Sequence, residues 1–168
     1  MGTILQIHRT PYPGGDTNFA NMYAAYDALS NQMKTYLCSC TALHDPEIAH
    51  RGRFAEKGVV DTGKKFKIAI HPVIRTHPVS DRQALYVNEV FTSKIMDIPV
   101  EESEAILSYL FQHMARPEFQ VRYQWRENSI AFWDNRCTQH LAMWDYWPEE
   151  RYGHRVTIKG DRPFFRPN

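Results

Sequence analysis

Arg151, Gly153 and Arg155 near the end of the chain, with His140 one strand earlier, have types and spacing that could do chemistry. Strand side chains repeat every second residue, so positions 151, 153 and 155 share a face. The glycine is expected to leave open space between two guanidinium groups. A guanidinium is a flat fork that meets a carboxylate or sulfonate at two points, so an inward-facing pair implies a small anionic ligand or a buried carboxylate partner. Solvated strand edges carry basic residues at the same spacing, and both readings stand on spacing alone. His140 has the chemistry of a metal ligand, although a single strand histidine is more often a satisfied core residue.

Strands must hold these groups, and the last third of the chain supplies them. Residues 119–125 alternate apolar and polar, and 130–133, 138–143 and 152–158 continue the run of short strands. Residues 3–8 form a β-branched strand at the start, and a Pro/Gly turn over 11–16 leads to a brief strand at 17–19. Met22, Tyr26, Leu29, Met33 and Tyr36 recur at helical spacing, which predicts one amphipathic helix over 21–37 with this stripe in the core. A second helix spans 101–114, with acids in its first turn, Ile106, Leu107, Leu110, Phe111 and Met114 on one face, and Pro117 as its stop. Residues 44–67 have no period and read as a long loop with room for one short helix. The proline-flanked stretch 71–78 fits an edge strand rather than a metal site for His71 and His77, and 84–87 is a further strand. Short strands in one sheet system with two outer helices predict a mainly β fold, a sandwich or jelly roll, in a single domain over 1–168.

Composition narrows the function classes. Lys and Arg number 20 against 19 Asp and Glu, with no block of like charge, which argues against nucleic acid and membrane surfaces as partners. Cys38, Cys40 and Cys137 are odd in number and lack a second cluster at zinc-site spacing, so they read as free thiols in a reducing compartment. The first residues lack the features of a secretory signal and no apolar run is of membrane-spanning length, so the chain is expected to be cytoplasmic.

Several segments carry a resemblance: Pro13-Gly-Gly-Asp-Thr17, His71-Pro-Val-Ile-Arg-Thr-His-Pro, Ala84-Leu-Tyr-Val-Asn88, Phe119-Gln-Val-Arg, Trp133-Asp-Asn-Arg-x-Thr-Gln-His140, and His154-Arg-x-Thr-Ile followed by Gly160-Asp-Arg-Pro-Phe. In this order they resemble the taurine dioxygenase family of iron(II)- and 2-oxoglutarate-dependent enzymes, over nearly the whole chain. The resemblance implies a double-stranded β-helix, the jelly-roll class, with Fe(II) held by two histidines and a carboxylate. It implies that His140 is the distal histidine of that triad and that Arg151 clamps the far carboxylate of 2-oxoglutarate together with the Thr17 hydroxyl. It assigns Arg155 to the anionic head of a small substrate of the taurine, alkylsulfonate or alkyl sulfate type, with O2 as the other reactant. Self-association into a homo-oligomer is compatible with this reading.

The family's other two iron ligands form a His-x-Asp, which falls upstream of Met1. The residues two beyond the eight histidines are Thr10, Pro46, Gly52, Val73, Val79, Ala115, Ala142 and Val156, so the sequence holds no His-x-Asp or His-x-Glu. The chain is therefore expected to correspond to the C-terminal two-thirds of such an enzyme and to be inactive as given. The alternative is a non-catalytic β-helix remnant that binds a small anion or a protein partner.

Overall fold

The computed structural model describes residues 1–168 apart from 53, 54, 56, 57, 59, 61, 62 and 168. In chain order the elements are β1 (Gly2–Arg9), β2 (Thr17–Asn21), α1 (Met22–Asp27), α2 (Asn31–Leu37), β3 (Thr41–His44), α3 (Glu47–His50), β4 (Ala69–Pro72), β5 (Ile74–Thr76), β6 (Gln83–Leu85), β7 (Thr92–Ile95), α4 (Val100–Met114), β8 (Gln120–Tyr123), β9 (Ile130–Asp134), β10 (Thr138–Ala142) and β11 (Tyr152–Thr157). Among the described residues no helix is long and apolar enough to cross a membrane.

The strands form four antiparallel sheets rather than the single system expected: β11-β1-β9, β10-β2-β8, β4-β3-β7 and the pair β5-β6. The first two sheets meet through aromatic side chains, Phe19 of β2 lying 5.1 Å from Trp133 of β9 between ring centroids. Their strands come from both ends of the sequence, so the middle of the chain, from α1 to α4, is an insertion between them.

That insertion holds most of the hydrophobic core. Met22, Ala25 and Leu29 pack with Leu37, Ala42, Val73, Ile74, Leu85, Ile95, Leu107, Leu110 and Met114. The helix expected over 21–37 is two helices. Asn21 caps α1 by accepting from the backbone N–H groups of Tyr23 and Ala24, and Ser30 caps α2 by accepting from Met33. A capping hydroxyl satisfies an otherwise orphaned N–H only where a helix begins, so Ser30 marks a restart that hydrophobic spacing conceals. The turn between them rotates the second half, leaving Tyr36 exposed and burying Leu37 instead. Likewise α4 buries Leu107, Leu110 and Met114 as expected, but its inner face also contains Ser103 and His113, both satisfied by backbone partners. The proline-flanked stretch is two strands: β4 is the edge of one sheet, while β5 pairs with β6. The C-terminal segment lies along β5, Phe164 accepting from the Thr76 backbone N–H at 2.8 Å and Asp161 meeting buried Arg75 at 2.6 Å.

His44 on β3 and His71 on β4 stand 5.0 Å apart between ring centroids, and His44 Nε2 is buried without a partner. Burial, and secondarily the neighbouring His71, push the His44 pKa down from 6.5 to about 4. Between those values the unfolded chain takes up a proton that the folded chain refuses. The contribution is therefore fully present above pH 6.5 and is lost as the pH falls toward 4, by up to roughly 3 kcal/mol. In urea titrations from pH 7 to pH 4, His44→Gln should remove part of the acid-side fall in stability seen in the parent. An equally steep fall in the variant would assign it to other groups.

Candidate functional site

The turn before β2 sets the first functional side chain. Gly14 and Gly15 have φ of 118° and 70°, left-handed values that cost an L side chain steric strain and glycine none. Asp145 accepts from the Gly15 backbone N–H at 2.8 Å, and Arg122 spans Asp16 at 2.6 Å and Asp145 at 3.1 Å. The Gly15 hydrogen bond leads in holding the Asp145 carboxyl below its ordinary pKa, and Arg122 adds to it. Fixed in this way, the turn delivers Thr17 to the inner face of β2 with 1% of its surface exposed.

Three side chains meet at Thr17. The Trp125 indole N–H donates to Thr17 Oγ1 at 3.0 Å, Arg151 Nη2 approaches the same oxygen at 3.4 Å, and the Arg151 guanidinium lies 5.5 Å from the Trp125 ring centroid. Burial lowers the Arg151 pKa, and Tyr146 opposes the shift weakly. Arg151 Nε is buried with no hydrogen-bond acceptor, and no carboxylate pairs with this guanidinium among the described residues. Arg75, Arg122 and Arg136 each have a carboxylate within 3.1 Å.

His140 on β10 stands opposite Phe19 of β2 in register, on the same face as Thr17. One side of its ring is open, while the rest lies 4.9 Å from Trp133 and 6.3 Å from Phe19 between centroids. That crowding, and secondarily the charge of Arg155, lower its pKa and keep the ring neutral at pH 7, the form that can ligate a metal. Arg155 is exposed on β11 and pairs in register with Leu5 of β1. The two sheets thus bring Thr17 and Arg151 into contact, and His140 within reach of Arg155.

Arg151 immediately precedes β11, and the expected gap at Gly153 is filled. A Cβ there would meet the Gln6 carbonyl oxygen and, at 2.8 Å, Ile7 Cδ1, because β1 pairs with β11 here and sets Ile7 opposite Gly153. The glycine admits a neighbouring strand rather than a ligand. Gly153→Ala should destabilise the protein by about 2 kcal/mol through overpacking, read as a lower urea midpoint. An unchanged midpoint would mean that β1 does not press on this position.

One group of potential ligand atoms, from His77, Asp134 and Cys137, lies within 4.8 Å. The hydrogen bonds already commit most of it. His77 Nδ1 accepts from the backbone N–H groups of Val79 and Ser80, so Nε2 carries the proton and donates to Asp134 at 3.1 Å. Burial favours the neutral Asp134 carboxyl, but hydrogen bonds from Arg136 and His77 outweigh it and hold the group well below its usual pKa. The cluster reads as a satisfied link between β9 and the insertion. Trp125 and the Asp16, Arg122 and Asp145 network escaped the sequence reading, since alternation over 119–125 marks a strand without revealing what its side chains touch.

The family model described as "Taurine catabolism dioxygenase TauD, TfdA family" matches residues 1–157. The chain belongs to this family of Fe(II)- and 2-oxoglutarate-dependent dioxygenases, and its mixed α/β fold is related to theirs. It is 32% identical over 163 residues to an alpha-ketoglutarate-dependent sulfonate dioxygenase of Saccharomyces cerevisiae, covering 96% of this chain and 39% of that protein. It is also 32% identical over 168 residues to an alpha-ketoglutarate-dependent sulfate ester dioxygenase of Pseudomonas putida, covering 96% of this chain and 56% of that one. A crystal structure of a taurine dioxygenase from Burkholderia xenovorans superposes with a TM-score of 0.83 at 34% identity, covering 96% of this chain and 53% of that chain. The chain therefore spans about half the length of the relatives it matches.

Proposed function

We propose that these residues form the co-substrate and substrate-anion half of a 2-oxoglutarate-dependent dioxygenase that hydroxylates a small sulfonate or sulfate ester. The observation that carries this reading is the orphaned donor of Arg151. A half-buried guanidinium with an unpartnered Nε beside the Thr17 hydroxyl offers donors without an acceptor, the complement of a carboxylate. Arg151 and Thr17 would hold the far carboxylate of 2-oxoglutarate. Arg155, four residues on and roughly 13 Å along the chain, is too far to serve the same carboxylate and would meet the anionic head of the substrate. Trp133 and Phe19 wall the His140 ring and limit water on that side.

His140, neutral and open on one side, fits a metal ligand. Iron with dioxygen would supply oxidative decarboxylation of 2-oxoglutarate to succinate and CO2, and the oxidant for C–H hydroxylation. A single histidine does not define an iron site, and His140 has no second histidine or carboxylate grouped with it among the described residues. With Fe(II), 2-oxoglutarate and ascorbate, the 168-residue chain should show no substrate-stimulated succinate formation. Turnover would mean that other side chains complete the metal site.

The two arginines separate in a protein that combines these residues with a His-x-Asp. There, Arg151→Ala should weaken 2-oxoglutarate by about 2 kcal/mol in a calorimetric titration, with lysine restoring only part. Arg155→Ala should leave that affinity unchanged, raise the KM for taurine and short alkyl sulfates, and uncouple succinate formation from product. Equal effects of both variants on 2-oxoglutarate would contradict the division of roles.

A further inference from the structure

Trp125 is 6% exposed, and its indole carries a donor and no acceptor. It directs that donor at Thr17 Oγ1 at 3.0 Å, while Arg151 Nη2 brings a second donor to the same oxygen at 3.4 Å. A threonine oxygen has two lone pairs and one proton. With both lone pairs faced by N–H groups, the hydroxyl proton is left to donate. Among the described residues neither strand neighbour takes that proton: β10 places Ala142, which has no acceptor, opposite Thr17, and β8 places Tyr123, whose ring packs at a steep angle against Trp125 with centroids 4.9 Å apart and makes no hydrogen bond to Thr17. The same indole lies under the Arg151 guanidinium, with 5.5 Å to the ring centroid, so one side chain bears on both members of the pair.

We infer that Trp125 is a positioning residue for the co-substrate: its indole N–H holds Thr17 Oγ1 as an acceptor, so that the Thr17 hydroxyl proton and the Arg151 guanidinium point together at one carboxylate. This rests on the clamp reading of Thr17 and Arg151 given above. A purely space-filling tryptophan would make the same ring contacts, and the N–H distinguishes the two roles. Phenylalanine keeps the apolar ring and loses the donor, which leaves Thr17 Oγ1 short of a partner and frees the hydroxyl to turn.

The test uses the 168-residue chain, isotope-labelled, metal-free and in chelator, titrated with 2-oxoglutarate and followed by NMR at the Gly15 and Thr17 amides and the Arg151 side chain. The parent should show saturable shifts. Trp125→Phe should raise the Kd about fivefold, and in a Thr17→Val background the same substitution should change it by less than twofold. An unchanged Kd for Trp125→Phe, or an equal loss in both backgrounds, overturns the positioning role while leaving the clamp intact. Absence of saturable shifts in the parent overturns the clamp itself. The parent's Trp125 indole proton gives a second reading that does not depend on the variant folding. It should stay protected from exchange and move downfield at saturation, and a change to fast exchange on binding overturns the inference.

Discussion

A guanidinium taken partly out of water needs a carboxylate or an equivalent set of acceptors, because the cost of burying an unpaired charge exceeds what a single neutral contact returns. This protein meets that requirement at Arg75 with Asp161, at Arg122 with Asp16 and Asp145, and at Arg136 with Asp134. Arg151 has instead the face of Trp125, a long contact to Thr17 and a buried Nε without an acceptor. Arg75 Nε is likewise buried without a partner, so what sets Arg151 apart from these three is that, among the described residues, no carboxylate pairs with its guanidinium. On the reading proposed above, an anionic ligand supplies the missing acceptors.

The arrangement depends on rigid neighbours more than on the site residues. Arg122 takes up Asp16, next to Thr17, and Asp145, in the loop before Arg151, while Glu150 beside Arg151 pairs with Arg9, so three nearby carboxylates are committed elsewhere. The Asp145 contact to the Gly15 backbone ties the turn before β2 to the loop that leads into Arg151, so the segments carrying Thr17 and Arg151 are held together. The close pairing of β1 with β11 at Gly153 then fixes the position of β11. The large core between α1, α4 and the inserted strands braces β2 and β10 from the opposite face, where Gln139 donates to the Val87 carbonyl while its neighbour His140 points inward.

Local pattern revealed β1, β8, β9, β10 and β11 well: 119–125 alternates, the start of β1 is apolar and β-branched, and β9, β10 and β11 are short runs set off by turns. It revealed α4 through helical spacing of Leu107, Leu110 and Met114 and a proline stop. The break between α1 and α2 was hidden because Met22, Leu29 and Met33 keep a plausible helical spacing across it, and the Ser30 cap overrides that spacing. The space at Gly153 was misjudged because what fills it comes from β1, almost the whole chain away in sequence. Spacing left His140 and the two arginines open between solvated and functional readings. The ordered motifs suggested the Thr17 and Arg151 pairing, and the tertiary structure shows those two side chains in contact. Trp125 could be recognised only there, since the partner of its N–H is 108 residues away.

Whether Arg151 and Thr17 together clamp a carboxylate is decided by a crystal structure of the chain grown with 2-oxoglutarate. One carboxylate of the ligand should bond to the Arg151 guanidinium and the Thr17 hydroxyl, with the Trp125 indole still donating to Thr17. Ligand bound elsewhere while Arg151 turns to a protein carboxylate would contradict the clamp.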